Sequence, residues 1–163
     1  MYPMTESTPR ESAPAAAPLG KPIAKRKLPL VLVVDDFEDN RSMYAVYLTY
    51  SGYDVIEAGD GAEAVELAGE RLPDLVVMDL SLPIMDGWEA TRRLKSDPRT
   101  CHIPIIALTG HALEGHSRDA RKAGCNAFLA KPCLPETLVA KVQELMQTAA
   151  MTQSGKGGDS DSR

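Results

Sequence analysis

Short runs of apolar residues recur along the middle of the chain, separated by longer stretches with a helical pattern. Apolar runs cover residues 30–34, 75–78, 105–108 and 127–130, and residues 54–58 form a fifth, more polar run around Val55 and Ile56. Short runs that are rich in β-branched side chains and bounded by turn residues are typical of strands, and an unbroken apolar run is typical of a strand covered on both faces. The pattern therefore predicts five strands.

The segment after the first strand has the pattern of an amphipathic helix. Its apolar residues recur at helical spacing, and they are Met43, Val46, Tyr47 and Tyr50. The pattern stops at Ser51 and Gly52, and glycine readily adopts the left-handed conformation with which many helices end. We therefore expect the first helix to end at these two residues.

Four further helices follow the remaining strands. They are predicted over residues 61–70, 87–96, 111–123 and 134–148. The last has Pro135 in its first turn, where proline is tolerated, and four residues expected to face inward, namely Leu138, Val142, Leu145 and Met146. Strict alternation of strands and helices implies an α/β fold: a doubly wound, five-stranded parallel sheet with right-handed crossovers and helices on both faces.

The two ends of the chain differ in composition from this middle. Residues 1–27 are rich in proline and alanine and carry an excess of basic side chains, and residues 149–163 are rich in glycine and serine. Neither mixture can bury enough apolar surface to offset the entropy of the chain. We predict a disordered basic extension over residues 1–27, a folded domain over residues 28–148 and a disordered tail over residues 149–163.

Composition and charge disfavour several classes of protein. No apolar run approaches the roughly 18 residues of a membrane span, so no membrane insertion is expected. Three cysteines without a secretory signal argue against a disulfide framework and favour a cytoplasmic location. The cysteines and histidines also lack the spacing of a zinc site. A net charge of −5 disfavours a uniformly basic nucleic-acid binder.

Polar side chains stand where four of the five strands end. Asp35 and Asp36 follow the first strand, Asp79 the third, Thr109 the fourth and Lys131 the fifth. Parallel α/β sheets place their binding sites at the carboxyl ends of the strands. We therefore expect three carboxylates, one hydroxyl and one ammonium group to converge on one crevice.

The chemistry of this set predicts a site for phosphoryl transfer. Clustered carboxylates repel one another unless a cation intervenes, and a histidine-free oxygen site suits Mg²⁺, held directly by Asp36 and mostly through water by Asp35. Lys131 and Thr109 would face the metal across an anion, and a phosphoryl group fits that place. Asp79 is the expected nucleophile because it is central, and carboxylates form aspartyl phosphates.

Four segments in this order resemble the receiver domain of two-component response regulators, over about residues 30–148. The segments are V-L-V-V-D-D, D-L-V-V-M-D-L-S-L-P-I-M-D-G, P-I-I-A-L-T-G-H-A and A-F-L-A-K-P. The resemblance implies a CheY-like, flavodoxin-like sheet with strand order 2-1-3-4-5. It also implies a protein of two-component phosphorelay signal transduction.

The resemblance assigns a role to each site residue. It implies that Asp79 is the phosphoacceptor, that Asp35, Asp36 and Asp79 bind Mg²⁺, and that the backbone carbonyl of Ser81 is a further metal ligand. Lys131 is implied as the partner of the phosphate.

The resemblance also implies a conformational switch. Thr109 is the switch hydroxyl and Phe128 the mobile aromatic residue, and the Lys131–Pro132 peptide bond is implied to be cis. Phe128 as ordinary core filler is the equally weighted alternative.

As a function, the resemblance implies a single-domain response regulator. It would accept a phosphoryl group from a sensor histidine kinase or a histidine phosphotransfer protein, and then signal to a downstream protein or pass the group onward. It would turn over no external substrate, so it is not expected to be an enzyme. With a short stretch after the last helix, no direct DNA binding is expected, and a monomer or a weak dimer through helices 4 and 5 is expected.

Two other functions remain open from the sequence. One is a scaffold with the receiver fold that acts without phosphorylation. The other is a magnesium-dependent aspartyl phosphatase of the haloacid dehalogenase type, which places a second acid two residues after its nucleophile. Ser81 occupies that position here, so the phosphatase is disfavoured.

Overall fold

The computed structural model describes residues 26–110 and 114–154, and it contains five strands and five helices in strict alternation. The elements are β1 (Leu30–Val34), α1 (Glu38–Tyr50), β2 (Asp54–Ala58), α2 (Gly61–Arg71), β3 (Leu75–Asp79), α3 (Gly87–Ser96), β4 (Ile105–Thr109), α4 (Glu114–Ala123), β5 (Ala127–Ala130) and α5 (Pro135–Ser154). Residues 1–25 and 155–163, on which most of the predicted extension and tail fall, lie outside the described residues. The same holds for residues 111–113, where α4 was predicted to begin.

The five strands form one parallel sheet in the order β2-β1-β3-β4-β5, which confirms the predicted fold class. The three central strands β1, β3 and β4 are buried along their whole length, as their unbroken apolar runs predict. The edge strands β2 and β5 are partly exposed. The carboxyl ends of β1, β3, β4 and β5 therefore lie along one edge of the sheet.

Side chains of the central strands alternate between two apolar clusters, one on each face of the sheet. Leu32, Val76 and Ile105 point to the face that α2 and α3 cover, while Val33 and Val77 point to the face of α1 and α5. Helix α4 contacts α3. Burying one such aliphatic side chain contributes roughly 1.5–3 kcal/mol, so the two clusters hold the strand ends in fixed positions.

Helix α1 ends as predicted, but its buried face was not predicted by its apolar spacing. Gly52 has a φ of 96°, the left-handed conformation expected after the helix. The residues of α1 that are buried against the sheet are Tyr44 and Leu48, whereas Val46 is 65% exposed and Tyr50 is 94% exposed. Of the four residues that carried the prediction, Met43 packs against the apolar cluster at half burial, whereas Val46, Tyr47 and Tyr50 are exposed.

Helix α5 runs six residues past its predicted end at Thr148, to Ser154. The last residues predicted to face inward are Leu145 and Met146, shortly before that boundary. Alanine and methionine are strong helix formers, and the helix continues through residues 149–152 without burying much surface. The inward positions Leu138 and Val142 are buried, as predicted.

Candidate functional site

Three carboxylates come together at the carboxyl edge of the sheet. Asp35 and Asp36 directly follow β1, and Asp79 is the last residue of the neighbouring strand β3. One oxygen from each carboxylate lies within 4.8 Å of the others. Asp35 and Asp79 are buried, whereas Asp36 is exposed. The predicted acidic cluster is therefore formed, with one carboxylate open to solvent.

The ammonium of Lys131 lies between two of these acids. Its Nζ is 2.8 Å from Asp35 Oδ2 and 2.8 Å from Asp79 Oδ2, although β1 and β5 are separated by two other strands. Burial lowers the pKa of Lys131, but the hydrogen bonds and charges of the two acids outweigh burial and raise it above its usual value. Lys131 is therefore a firmly charged donor in the pocket.

The carboxylate of Asp79 is buried and held by two hydrogen bonds. Burial raises its pKa above the usual value, and the hydrogen bonds from Lys131 and from the backbone N–H of Ser81 only partly oppose that rise. The Ser81 N–H donates to Asp79 Oδ1 at 2.9 Å, while Lys131 occupies the other oxygen. A poorly solvated carboxylate with fixed orientation suits a nucleophile.

Thr109 and Phe128, the two predicted switch residues, lie on the neighbouring strands β4 and β5. Thr109 ends β4 and is buried, and its carbonyl oxygen accepts a hydrogen bond from the Lys131 N–H at 2.7 Å. Phe128 is half-buried and packs against the apolar cluster on the α2 and α3 face. The peptide bond between Lys131 and Pro132 is cis.

The loop after Asp79 packs closely against the backbone around the pocket. A Cβ atom at Gly87 would lie 2.1 Å from the carbonyl oxygen of Asp79, and one at Gly61 would lie 2.1 Å from that of Met85. Only glycine permits this approach. Between them, Ile84 has a φ of 67° and is 87% exposed, which is an unfavourable backbone conformation for a β-branched residue.

Two residues of α1 contact the pocket, and the sequence pattern did not indicate these contacts. Arg41 donates from Nη1 to the carbonyl oxygen of Asp35 at 2.8 Å, and its Nε lies 3.4 Å from Glu57 Oε1 on β2. The hydroxyl of Tyr44 lies 3.1 Å from the carbonyl oxygen of Cys133. Arginine and tyrosine are ordinary surface and core residues of an amphipathic helix, so the apolar pattern did not predict either contact.

The donor set fits a magnesium ion. Its side-chain donors are all carboxylate oxygens, and a hard divalent cation with octahedral preference takes few carboxylates and keeps several waters. Asp36 is exposed, so the place between the acids opens to solvent. His102 and Cys101, whose spacing predicts no metal role, are both exposed, and Cys101 is a free thiol.

Comparison with known proteins shows the family. Residues 31–143 match the response regulator receiver domain, so the chain belongs to that family. It is 41% identical over 102 residues to the polar-differentiation response regulator DivK of Brucella anthropi, covering 63% of this chain and 83% of that protein. The family is one of signalling proteins of two-component systems, not of classical enzymes.

Two solved structures illustrate the likeness. One is chemotaxis protein CheY4 of Vibrio cholerae, with a TM-score of 0.69 and 31% identity, covering 72% of this chain and 98% of that one. The other is the receiver domain of a sensor histidine kinase from Pseudomonas aeruginosa, with a magnesium ion coordinated in its active site cleft. Its TM-score is 0.64 at 35% identity, covering 74% of this chain and 95% of that one. Among the described residues, none of the helices is both long and apolar enough to cross a membrane.

Proposed function

We propose that this chain accepts a phosphoryl group on Asp79 and signals by the change that follows. The observation that carries the proposal is the convergence of Asp35, Asp36 and Asp79 within 4.8 Å, with the Lys131 ammonium 2.8 Å from two of them. A cation flanked by acids suits a transferable anion, because the ammonium can move from carboxylate to phosphoryl oxygens. The likeness to DivK and CheY4 supports the same conclusion.

Each residue of the pocket has a part in the proposed transfer. An oxygen of Asp79 attacks phosphorus in line, the P–O bond forms as the P–N bond of a donor phosphohistidine breaks, and the leaving imidazole takes up a proton. Lys131 and the hydroxyl of Thr109 hold the phosphoryl oxygens. Asp35, Asp36, Asp79 and the Ser81 carbonyl would hold Mg²⁺, which supplies neutralisation of the charge that develops on the phosphoryl oxygens.

The proposed donor is a protein that bears a phosphohistidine, and α1 is its proposed docking surface. The family resemblance implies specificity positions at Glu38, Arg41, Ser42 and Ala45. Arg41 is engaged with Asp35 and Glu57, so the outward residues of the helix are better placed to contact a partner. Val46 and Tyr50 add an exposed apolar stripe to that surface. The phosphorylated domain would then contact a downstream protein or pass the group to a second histidine.

The test is labelling with acetyl phosphate and Mg²⁺, followed by mass spectrometry. Wild type should gain one acid-stable, base-labile phosphoryl group, and Asp79→Asn should gain none. Asp86→Asn is the matched control, since the carboxylate of Asp86 caps α3 by accepting from the Glu89 N–H and lies outside the acidic cluster. It should label like wild type.

The same experiment separates the alternatives. Failure of the folded wild type to label with acetyl phosphate or a phosphohistidine donor would leave the phosphorylation-independent scaffold as the better account. Steady turnover of p-nitrophenyl phosphate that depends on Asp79 would instead indicate a phosphatase. The absence of an acid at Ser81 argues against that outcome.

A further inference from the structure

A buried hydroxyl joins α1 to the loop that carries Lys131. Tyr44 lies on the inner face of α1 and is 3% exposed, and its hydroxyl donates to the carbonyl oxygen of Cys133 at 3.1 Å. These residues are 89 positions apart in the chain. Cys133 is two residues after Lys131, so this hydrogen bond fixes the chain directly beyond the ammonium that contacts Asp35 and Asp79.

The loop is fixed on its other side by the sheet. The backbone N–H of Lys131 donates to the carbonyl oxygen of Thr109 at 2.7 Å. Pro132 has no N–H to donate, so it cannot add a bond of that kind. The segment from Lys131 to Cys133 is therefore held between β4 at one end and α1 at the other.

Packing alone does not account for a tyrosine at position 44. Its ring lies in the apolar cluster with Leu48 and Val33, and a phenylalanine ring would fill the same space. A buried hydroxyl costs free energy unless it is hydrogen-bonded. Burial, the first of several causes, raises the pKa of Tyr44, so the hydroxyl remains a donor at neutral pH.

We propose that Tyr44 is a positioning residue that sets the place of the Lys131 ammonium through the Cys133 carbonyl. The inference rests on the proposed function, because Lys131 acts on a phosphoryl group only if Asp79 accepts one. A displacement of about 1 Å at a reacting group can slow a reaction up to a hundredfold. The hydroxyl of Tyr44 thereby makes the geometry of the pocket depend on the position of α1.

The test compares Tyr44→Phe with Tyr53→Phe in the full chain. Tyr53 is the matched control, because it is a buried tyrosine of the same apolar cluster. At saturating acetyl phosphate and Mg²⁺, Tyr44→Phe should label about tenfold more slowly than wild type. Tyr53→Phe should label within about twofold of wild type, and calorimetry should give both variants the Mg²⁺ affinity of wild type, since the acids are untouched.

Two further readouts show whether Tyr44 acts through Lys131. In a Lys131→Met background, Tyr44→Phe should cause no additional loss of rate, because the group that it positions is gone. In the metal-free protein, hydrogen exchange of the Lys131 amide should be about tenfold faster in Tyr44→Phe than in Tyr53→Phe, since the loop has lost its hydrogen bond to α1.

Each result decides one question. An unchanged labelling rate in Tyr44→Phe, or a full additional loss in the Lys131→Met background, would overturn the positioning role. If wild type is not labelled at all, the proposed function fails, and the exchange of the Lys131 amide then decides alone. Faster exchange would uphold the placement of Lys131 by Tyr44, and unchanged exchange would reject it.

Discussion

Two half-buried lysines at opposite ends of the sheet have opposite surroundings. Lys131 contacts the carboxylates of Asp35 and Asp79 at the carboxyl edge. At the amino edge, Lys95 of α3 donates to three neutral oxygens: the carbonyl oxygens of Ile103 at 2.7 Å and Cys101 at 3.2 Å, and Asn126 Oδ1 at 3.2 Å. Burial lowers the pKa of Lys95, whereas the pKa of Lys131 is raised because its acids outweigh burial.

The same residue type is thus placed among neutral oxygens at one end of the sheet and between two acids at the other. The oxygens around Lys95 are neutral and attract no metal ion that could replace the ammonium. Lys95 is therefore a permanent link between α3 and the starts of β4 and β5. The acids around Lys131 can be neutralised by a metal ion, which would release the ammonium for a new anion. We therefore expect a buried lysine to be available for a new anion when a metal ion can neutralise its acidic partners. Burial alone does not make it available.

The largest expected difference between the two lysines is in phosphorylation. Lys131→Met should slow labelling of Asp79 by acetyl phosphate by about a hundredfold, because one charged donor to the phosphoryl oxygens is lost. Lys95→Met removes no group from the pocket and should label within about twofold of wild type at a temperature where both variants are folded. Equal losses in the two variants, measured by rapid quench and mass spectrometry, would contradict the separate roles.

A smaller difference is expected in how magnesium affects stability. Without metal, Lys131→Met leaves Asp35 and Asp79 buried and without a cation, at a cost of about 3 kcal/mol. Lys95→Met leaves neutral acceptors without their donor, at about 1–3 kcal/mol. Saturating Mg²⁺ should restore part of the loss only in Lys131→Met, since the metal replaces the missing positive charge among the acids.

Urea unfolding in EDTA and in excess Mg²⁺ measures this effect. Wild type provides the reference gain, because any ligand of the native state stabilises it. Lys131→Met should gain more than wild type, and Lys95→Met should gain the same amount as wild type. If Mg²⁺ raises the unfolding free energy of Lys131→Met no more than that of wild type, the metal does not replace the positive charge of Lys131 among the acids.

The smallest difference is expected in alkaline solution. The pKa of Lys131 is raised above 10.5, so its contribution to stability is complete below that pH and is lost as the pH rises through the folded-state value. The pKa of Lys95 is lowered below 10.5, so its contribution rises with pH from the folded-state value up to 10.5.

The two substitutions should therefore change the pH dependence in opposite directions. Relative to wild type, Lys131→Met should lose stability less steeply above pH 10.5, and Lys95→Met should lack the gain just below it. Differences in unfolding free energy between each variant and wild type report on the lysine together with the groups coupled to it, such as Tyr44, whose pKa the charge of Lys131 lowers. Identical slopes would contradict the opposite pKa shifts.

The residues of the pocket were predictable from the sequence because the positions at which the strands end were predictable. Once strict alternation implies a parallel sheet, the residues that follow the strands must share one edge whatever their separation in the chain. Asp35, Asp36, Asp79 and Lys131 needed no knowledge of side-chain conformation to be placed there. The structure brings all four together, and their roles in phosphoryl transfer stay predictions.

The buried face of α1 could not be read from the same pattern. Tyr44 and Leu48 are one turn apart, as are Met43 and Tyr47 or Val46 and Tyr50, so helical spacing is satisfied by more than one set. Packing against the sheet selects the first pair. The hydrogen bond from Tyr44 to Cys133 and the links of Lys95 were equally hidden, because they join segments whose distance only the folded chain sets.

The contact between Gly87 and the backbone of Asp79 limits how this chain can diversify. At Gly87 there is room for a hydrogen atom and nothing larger, so the start of α3 and the end of β3 are held rigidly together. Any side chain at this position would push the helix away from the sheet. Freedom to vary is left to the outward residues of the intervening loop, such as Ser81 and Ile84. New preferences for binding partners at this loop would therefore evolve by substitution of its exposed side chains, while the backbone beneath them stays in place.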